Sequence, residues 1–350
     1  MDLISQFVDG VSRLPRYASP APASLPIVDV ILNPIAGFFQ RRANLRRIVA
    51  DLEARLRSLE ERAPGRKAGA ERVHRTEFPG HTHRIVEGIL EEEARSPSEG
   101  GRLLISCGGD GTHYEICTTL VDADTAVLDR IRLLRLPLGT GNDSAEALTV
   151  EEAFDMILAG EGGVKTGALR IDSPGLPPLY SFNIASVGID AFVVELTNKL
   201  KKAMPGAYKA LVDVASLFYD RTIRPKPMNI ALRHEVGSTE LRGILPSIVV
   251  MGVSGHRTYG GRVPVLCDDR NVCIIAHLGL IDLLRSKKLI FNARHGELPE
   301  TRFCTAHRME LESQGNLIMQ LDGEVFRLSP MNYPLTMTLT EPKIRVLRRS

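Results

Sequence analysis

Three glycines and an aspartate follow a short apolar run in the segment LLISCGGDGTHYEIC at residues 103–117. Residues 103–105 predict a buried strand, and apolar or small residues over 112–120 recur at helical spacing. The turn between them would offer free N–H groups and the positive end of a helix dipole, which suit phosphate. Asp110 would repel that phosphate unless a cation lies between them. The combination indicates a magnesium-nucleotide site, with glycines that serve turn geometry alone as the alternative.

Two similar turns follow other predicted strands. NPIAG at residues 33–37 comes directly after the apolar run IVDVIL, and its asparagine, proline and glycine favour a tight turn. PLGTGND at residues 137–143 follows a strand predicted at 131–137, and it offers the hydroxyl of Thr140 and a second carboxylate at Asp143. Because ligands of parallel sheets bind at the carboxyl ends of the strands, we expect these turns to line one edge of a sheet.

A fourth turn, LDGEVF at residues 321–326, places Asp322 and Glu324 on either side of a glycine. This pattern is typical of a β-hairpin, and an isolated Asp-Gly pair is usually structural. Its chemical meaning depends on its occurrence together with the other three turns.

The elements around the first three turns alternate between strand and helix. This alternation predicts an α/β nucleotide-binding domain at residues 26–162, with a parallel sheet covered by helices. The strands are predicted at 27–32, 71–76, 103–106 and 131–137, and the helices at 44–59, 82–94 and 112–120. Residues 1–25 are interpreted as a leader and linker, whose apolar stripe is expected to dock on the body, a partner or a membrane surface.

Beyond residue 163 the pattern changes to strand-like segments with short connections. It predicts a mostly antiparallel, β-rich second domain at 163–335, with one of its strands at 180–186. The last two predicted strands, at 335–339 and 344–347, are expected to return to the first domain as part of the segment 336–350.

The composition excludes several classes of protein. The 350 residues are 43% hydrophobic, which is enough for two domains, and the net charge of +2 with 5% aromatic residues argues against a nucleic-acid partner. The five cysteines form no C-x-x-C pair, which favours a reduced cytoplasmic protein without disulfides or zinc. No apolar run approaches the ~18–20 residues of a membrane-spanning helix, and residues 1–14 lack the pattern of a signal peptide.

The four turns follow one another in the order N-P-x-x-G, G-G-D-G-T, P-L-G-T-x-N-D and D-G-E. In this order they resemble the diacylglycerol kinase catalytic-domain family, particularly its soluble bacterial lipid kinases, and the resemblance covers residues 27–347. The segments SFNIASVGIDAFVVELTNKLKK and YGGRVPV resemble further parts of that family. G-G-D-G-T alone is shared with NAD kinases and phosphofructokinases, whereas G-T-G-N-D and the late D-G-E make the lipid-kinase assignment specific.

The resemblance implies ATP-dependent phosphorylation of a lipid hydroxyl, with the nucleotide in a cleft between the two domains. Glu324 matches the family's proton acceptor, with Asp322 beside it, and Asp110 and Asp143 are expected to hold Mg²⁺ or its water shell. The positions matching the nucleotide-binding motifs are Asn33, Pro34, Ile35, Ala36, Gly37, Thr76, Gly108, Gly109, Asp110, Gly111, Thr112, Glu115, Gly139, Thr140, Asn142 and Asp143.

The segment VPVLCDDRNVCII at residues 263–275 departs most from the family pattern. Relatives often read D-G-x-x-D there, as part of a structural magnesium site. Asp269 remains as a metal-ligand candidate, while Arg270 replaces the glycine and Cys273 replaces the second aspartate. A cation at Arg270 could displace the metal from this site.

Two alternative functions remain open at this stage. One is a kinase for a soluble substrate, of the NAD-kinase type, and the other is a catalytically weak regulator that binds lipid or nucleotide.

The expected partner of a lipid kinase is its substrate at a membrane surface, which it meets through peripheral contact from the cytoplasm. The identity of the lipid and the formation of a homodimer are left open. A group of basic residues has two interpretations: a face that binds anionic lipid, or a solvated helix end. The residues are Lys199, Lys201, Lys202, Arg221, Arg224 and Lys226.

Overall fold

The chain divides into two units, of which the first comprises Met1–Gly167 and Pro342–Ser350 and the second comprises Ala168–Glu341. The computed structural model describes residues 2–19, 24–67, 69–139, 146–160, 163–200, 208–259 and 263–348, except for some side chains of two helices at 208–216 and 280–286.

The first unit combines helices with a mixed, mostly parallel sheet. Its helices are α1 (Leu3–Arg13), α2 (Gly37–Gln40), α3 (Arg42–Arg62), α4 (His81–Arg95), α5 (Asp110–Val121), α6 (Thr125–Leu128) and α7 (Val150–Ala159). Its strands are β1 (Ile27–Leu32), β2 (Glu71–Arg75), β3 (Arg102–Cys107), β4 (Ile131–Arg135), β5 (Val164–Thr166) and β20 (Ile344–Val346), the last named for its place in the whole chain.

These six strands are ordered β2-β1-β3-β4-β20-β5. The pairs β1–β2, β1–β3, β3–β4 and β4–β20 are parallel, and β5 is antiparallel to β20. β3 is buried at all its positions, as is usual for a strand with elements packed on both faces. The predicted α/β class is therefore confirmed.

The leader helix α1 is part of the core of the first unit. Phe7, Val8 and Val11 are buried in the cluster that also contains the apolar face of α3. A Cβ atom at Gly10 would lie 2.7 Å from Leu52 Cδ2, so the glycine allows α1 to approach α3 closely. Of the three surfaces considered for the leader, the structure places it on the body of the protein.

The second unit is rich in strands. Its helices are α8 (Ile189–Leu200), α9 (Tyr208–Ile223) and α10 (Leu280–Phe291). Its strands are β6 (Leu169–Asp172), β7 (Leu179–Ser181), β8 (Ile184–Gly188), β9 (Met228–Arg233), β10 (Ser238–Ile244), β11 (Pro246–Gly252), β12 (Arg257–Tyr259), β13 (Val263–Leu266), β14 (Val272–Ala276), β15 (Thr301–Cys304), β16 (Arg308–Ser313), β17 (Leu317–Leu321), β18 (Glu324–Leu328) and β19 (Leu335–Leu339).

Two six-stranded antiparallel sheets form the body of this unit, in the orders β10-β9-β16-β19-β6-β7 and β15-β14-β11-β8-β17-β18. Alternate residues of β11 explain why its sequence is apolar throughout. Val249 and Met251 point into a core shared with the other sheet, whereas Ile248 and Val250 point into a second core with α8 and α9. The predicted antiparallel, β-rich second domain is confirmed.

Two predicted strands differ from the observed ones. The strand expected at 180–186 is divided into β7 and β8, which belong to different sheets, because backbone N–H groups between them bond to a side chain instead of a neighbouring strand. The strand at 335–339 does not return to the first unit; β19 pairs with β16 and β6 in the second. Only the later strand β20 returns.

Candidate functional site

The turn after β1 is joined to the glycine-rich turn after β3. Asn33 donates its backbone N–H to the Cys107 carbonyl at 3.0 Å, which continues the pairing of the two strands. Its side-chain Nδ2 donates to Thr112 Oγ1 at 3.0 Å, and its Oδ1 accepts from Ile35 N at 3.2 Å. Asn33 therefore holds both turns at one edge of the parallel sheet, as their positions after neighbouring strands predict.

The remaining residues of the NPIAG turn differ in exposure. Ile35 is 79% exposed, whereas Ala36 is buried against the core of the unit. A Cβ atom on Gly37 would meet no heavy atom of the described residues within 4 Å, so close packing among those residues does not require the glycine. Pro34 lies between Asn33 and Ile35 in the same turn.

The glycine-rich turn leads into α5 two residues earlier than predicted, since the helix begins at Asp110 and not at Thr112. A Cβ atom at Gly108 would lie 2.6 Å from Thr112 Cβ, so the glycine permits a close contact across the turn. Among the described residues, Cβ atoms at Gly109 and Gly111 would meet nothing within 4 Å. The described part of the chain therefore leaves these two glycines open at the start of the helix, where N–H groups suit phosphate binding.

Asp110 is paired with an arginine that the motif analysis did not identify. Arg135, at the end of β4, donates from Nη2 to Asp110 Oδ1. The Arg135 side chain is 3% exposed and the Asp110 side chain 42% exposed. The strand order explains the contact, because β3 and β4 are neighbours whose carboxyl ends lie at the same edge.

His113 is a buried, neutral residue of α5. Its burial, together with the charge of Arg135, holds the pKa of its imidazole well below the usual range. Its Nε2 lies 3.4 Å from Cys117 Sγ, one helical turn away. His113 thus contributes to the packing beneath the turn.

Thr76 and Glu115 both adjoin the turn that connects β2 to α4. Thr76 donates its backbone N–H to the Leu32 carbonyl at 2.9 Å, which places it beside the end of β1. Glu115 Oε1 accepts from Gly80 N at 3.3 Å. In the same turn the ring of Phe78 stacks on that of His81 at 4.5 Å, an aromatic pair that the sequence motifs did not indicate.

The third motif turn is described only at its start. Gly139 follows β4 at the same sheet edge, whereas Thr140, Asn142 and Asp143 lie outside the described residues. The predicted roles of these three residues stay predictions.

In the second unit, the D-G-E motif forms a two-residue hairpin between β17 and β18. Leu321 pairs with Glu324, and the two residues between them have positive φ angles of 51° at Asp322 and 96° at Gly323. Positive φ at both central positions is the geometry of the type I′ turn, for which Asp-Gly is a preferred sequence. The predicted hairpin is therefore present.

Both carboxylate oxygens of Asp322 accept hydrogen bonds from the segment between β7 and β8. Oδ1 accepts from Ser181 Oγ, Asn183 N and Ile184 N at 2.8, 3.0 and 3.1 Å, and Oδ2 accepts from Phe182 N at 2.6 Å. Burial raises the pKa of this carboxyl above its usual range, while these hydrogen bonds act in the opposite direction. With its oxygens engaged in this way, Asp322 is built as an anchor of the hairpin.

Glu324 is exposed at the first position of β18, directly after the turn. Its carboxylate is therefore accessible to a reactant, in contrast to that of Asp322. The structure thus distinguishes the two carboxylates that the sequence analysis placed side by side.

At the predicted structural metal site, the acidic side chains bond to Arg270 and His256 of the chain itself. Arg270 donates from Nε to both oxygens of Asp268 at 3.0 Å and lies 4.9 Å from the centre of the Phe303 ring. Asp269, the predicted ligand, is fully exposed and bonds through Oδ1 to His256 Nε2 at 3.0 Å. These residues do not fit a magnesium site.

The other replaced position, Cys273, is a buried residue of β14. Among the described residues, no group of three or more histidine, cysteine, aspartate or glutamate side chains is arranged to hold a metal ion. The proposed ligand Asp143 is not part of that comparison, because it lies outside those residues.

Comparison with known proteins supports the same class of protein. Residues 28–172 match the family model of the diacylglycerol kinase catalytic domain. The resemblance predicted from the motifs is therefore confirmed over that segment.

Two curated relatives are described as "Probable lipid kinase YegS". The protein of Shigella flexneri is 34% identical over 117 residues, which are 33% of this chain and 37% of the relative. That of Salmonella arizonae is 35% identical over 109 residues, which are 31% of this chain and 35% of the relative. The similarity thus spans only about a third of the length of either relative.

Two crystal structures of Bacillus anthracis proteins share the fold. Each is 18% identical in sequence to this chain, and each alignment covers 92% of this chain and 97% of the other protein. The TM-scores are 0.59 and 0.54. The second of them is described as a diacylglycerol kinase. In the described part of the chain, no helix combines the length and apolarity needed to cross a membrane.

Proposed function

We propose that this protein is an ATP-dependent lipid kinase, which transfers the γ-phosphoryl group to a hydroxyl of diacylglycerol or a related lipid. The main support is the hydrogen bond between Asn33 and Thr112, which joins two motif turns within the segment that matches the diacylglycerol kinase catalytic domain. The description of the curated relatives as lipid kinases points in the same direction.

We assign nucleotide binding to the turns of the first unit. The N–H groups at the start of α5 would bind phosphate oxygens, and the described residues leave Gly109 and Gly111 open to admit them. Mg²⁺ would neutralise charge on the phosphates when bound. Asp110 is the described carboxylate that would hold this ion, sharing its oxygens with Arg135, and Asp143 is the second expected ligand.

We assign proton acceptance to Glu324 of the second unit. Its exposed carboxylate would take the proton of the lipid hydroxyl as the hydroxyl oxygen bonds to the γ-phosphorus, while the bond from that phosphorus to the bridging oxygen breaks and ADP leaves. Asp322 is assigned a positioning role, because its oxygens already accept four hydrogen bonds. This division of roles assigns Glu324 as the base and Asp322 as the support of the turn.

The test is transfer of radiolabel from ATP, with Mg²⁺, to a panel containing diacylglycerol, a monoacylglycerol, a sphingoid base and NAD. We expect label in the lipid extract, and we expect Glu324→Gln to lower kcat by ~10²–10⁴-fold while the KM for ATP stays similar. Glu240→Gln, at an exposed position of β10, is the control and should keep wild-type activity. Label in NAD alone would support the soluble-substrate kinase, and ATP binding without transfer to any acceptor would support the regulator.

A further inference from the structure

The peptide groups on either side of Gly323 are each held by a side chain from elsewhere in the second unit. The Gly323 N–H, which belongs to the peptide from Asp322, donates to Gln320 Oε1 at 2.9 Å. The Gly323 carbonyl, which belongs to the peptide leading to Glu324, accepts from Asn198 Nδ2 at 3.1 Å. Asn198 lies on α8 and Gln320 on β17, so two elements meet at this one glycine.

Gln320 is itself fixed by a buried chain of hydrogen bonds. Its Nε2 donates to Ser186 Oγ at 2.8 Å, and Ser186 Oγ donates in turn to Asp190 Oδ2. Gln320 and Ser186 are 2% and 0% exposed. Because an amide NH₂ group cannot accept from the Gly323 N–H, this network also determines which end of the Gln320 side chain faces the turn.

Glycine has the largest conformational freedom of any residue, and here it immediately precedes the proposed base. Peptide groups are planar, so fixing the N–H of one and the carbonyl of the next restricts both dihedral angles of Gly323. The direction in which the chain enters Glu324 is then fixed as well. Fixing the backbone before Glu324 narrows the positions that its carboxylate can reach, which is the kind of preorganisation that proton transfer needs.

We propose that Gln320 and Asn198 are positioning residues, which clamp the Gly323 peptides and thereby orient the Glu324 carboxylate for proton acceptance. This inference rests on the proposed function, because orienting Glu324 matters only if Glu324 accepts the proton in the kinase reaction. It adds two residues that none of the motif turns contains. Neither residue is assigned a contact with the substrate.

The first test is a kinetic comparison in two backgrounds. Gln320→Met and Asn198→Leu are nearly isosteric and remove the bonds to Gly323, and we expect each to lower kcat by about 10- to 100-fold with little change in the KM for ATP. In the Glu324→Gln background the same changes should have no further effect on kcat, because the group they orient is gone. An equal loss in both backgrounds, or no loss in the wild-type background, would overturn the proposal.

Two features keep this comparison decisive. Asn198 is exposed, so its variant should fold even if the change at the buried Gln320 is too destabilising. Arg327→Leu is the matched control: Arg327 lies on the same hairpin and bonds to Glu195 at 2.8 Å, and its loss should leave kcat unchanged.

The second test does not require activity. Amide hydrogen exchange of Gly323, followed by nuclear magnetic resonance, should be slow in the wild type and at least tenfold faster in Gln320→Met. Rapid exchange in the wild type would contradict the clamp, whatever the enzyme does. If no lipid is phosphorylated but Gly323 is protected, the clamp would stand as a structural device, and the proposed function and the positioning role that depends on it would fail.

Discussion

Arg135 lies beneath the proposed nucleotide-binding turn, with its guanidinium paired to Asp110. We therefore expect Asp110→Asn to abolish turnover and also to lower the free energy of unfolding. Removing one partner of a fully buried pair costs about 3–5 kcal/mol, and the partial exposure of Asp110 should reduce this to about 1–3 kcal/mol. Urea unfolding and a kinase assay would measure the two effects.

The double variant Asp110→Asn, Arg135→Met separates the two effects. Replacing the guanidinium by an apolar side chain should restore much of the stability, because the buried charge that lost Asp110 is then removed as well. Turnover should stay lost. Asp110→Asn with normal turnover and unchanged magnesium dependence would show that the carboxylate has no role in the reaction.

His113 gives the first unit a defined dependence on pH. The pKa of its imidazole is lowered in the folded state by burial and by Arg135, so the unfolded state binds the proton more readily. Its contribution to stability is present above the unfolded pKa of about 6.5 and is lost as the pH falls below it. Between pH 7.5 and 5.5, wild type should lose on the order of 1 kcal/mol more of its free energy of unfolding than His113→Asn.

Chemical denaturation of both proteins at the two pH values would check this difference. Comparing the two proteins removes the contribution of other titrating groups, such as the buried His295, whose pKa is also lowered. If both proteins lose the same free energy of unfolding between the two pH values, His113 does not contribute to the pH dependence, and its pKa is not lowered in the folded state.

At the scale of elements, α1 supports the first motif turn through aromatic contacts. The centre of the Phe7 ring lies 6.0 Å from those of Phe38 and Phe39 on α2, and 6.3 Å from that of Phe154 on α7. Phe7→Ala should lower the free energy of unfolding by about 3–5 kcal/mol. It should also weaken nucleotide binding, because α2 directly follows the NPIAG turn.

Thermal unfolding and titration with an ATP analogue would measure these effects. Asp9→Ala, at an exposed position of the same helix, is the control and should change neither quantity by much. A destabilised Phe7→Ala protein that binds nucleotide with wild-type affinity would mean that α1 stabilises the unit without supporting the turn.

The segment of Asp268 to Arg270 should be stable without magnesium. Arg270 already neutralises Asp268, and the hydrogen bond from Arg270 lowers the pKa of that carboxyl. Without nucleotide, the melting temperature should therefore be the same in EDTA and in millimolar Mg²⁺. Arg270→Gly should lower it, and a rise of several degrees on adding Mg²⁺ to wild type would contradict this reading.

The elements show where sequence reasoning succeeds and where it stops. The helix predicted at 44–59 and the strand at 27–32 follow from local apolar periodicity, and both are present. The break between β7 and β8 could not be predicted, because it is caused by Asp322, 138 residues beyond Ile184. The candidate site divides in the same way: motif spacing locates the turns, whereas the pairing of Asp110 with Arg135 requires the order of the strands.

At the scale of the whole molecule, a lipid kinase must reach its substrate at a bilayer. We propose that the exposed residues Leu217, Phe218 and Arg221 of α9, with Arg224 after it, contribute to peripheral binding of anionic membranes. Arg221→Glu with Arg224→Glu should weaken flotation with phosphatidylglycerol vesicles severalfold, and added salt should weaken that of wild type. Of the basic residues considered with them, Lys201 and Lys202 lie outside the described residues.

The matched control for flotation is Arg233→Glu with Arg242→Glu, which reverses two exposed arginines of β9 and β10 and so changes the net charge by the same amount. It should float as wild type does. If both charge reversals weaken flotation equally, the attraction is a property of net charge, and if neither does, α9 is not the membrane-binding face.

The position of β20 has a consequence for the order in which the protein can be completed during synthesis. β5 is hydrogen-bonded to the sheet through β20, which also pairs with β4. A ribosome synthesises β20, at residues 344–346, only after the whole second unit. Until then, the β4 edge of the first unit has no neighbouring strand from β20. A message cut short after codon 341 would encode a whole second unit and a first unit with an open sheet. Such a truncated product would expose the β4 edge as a template for pairing with other chains.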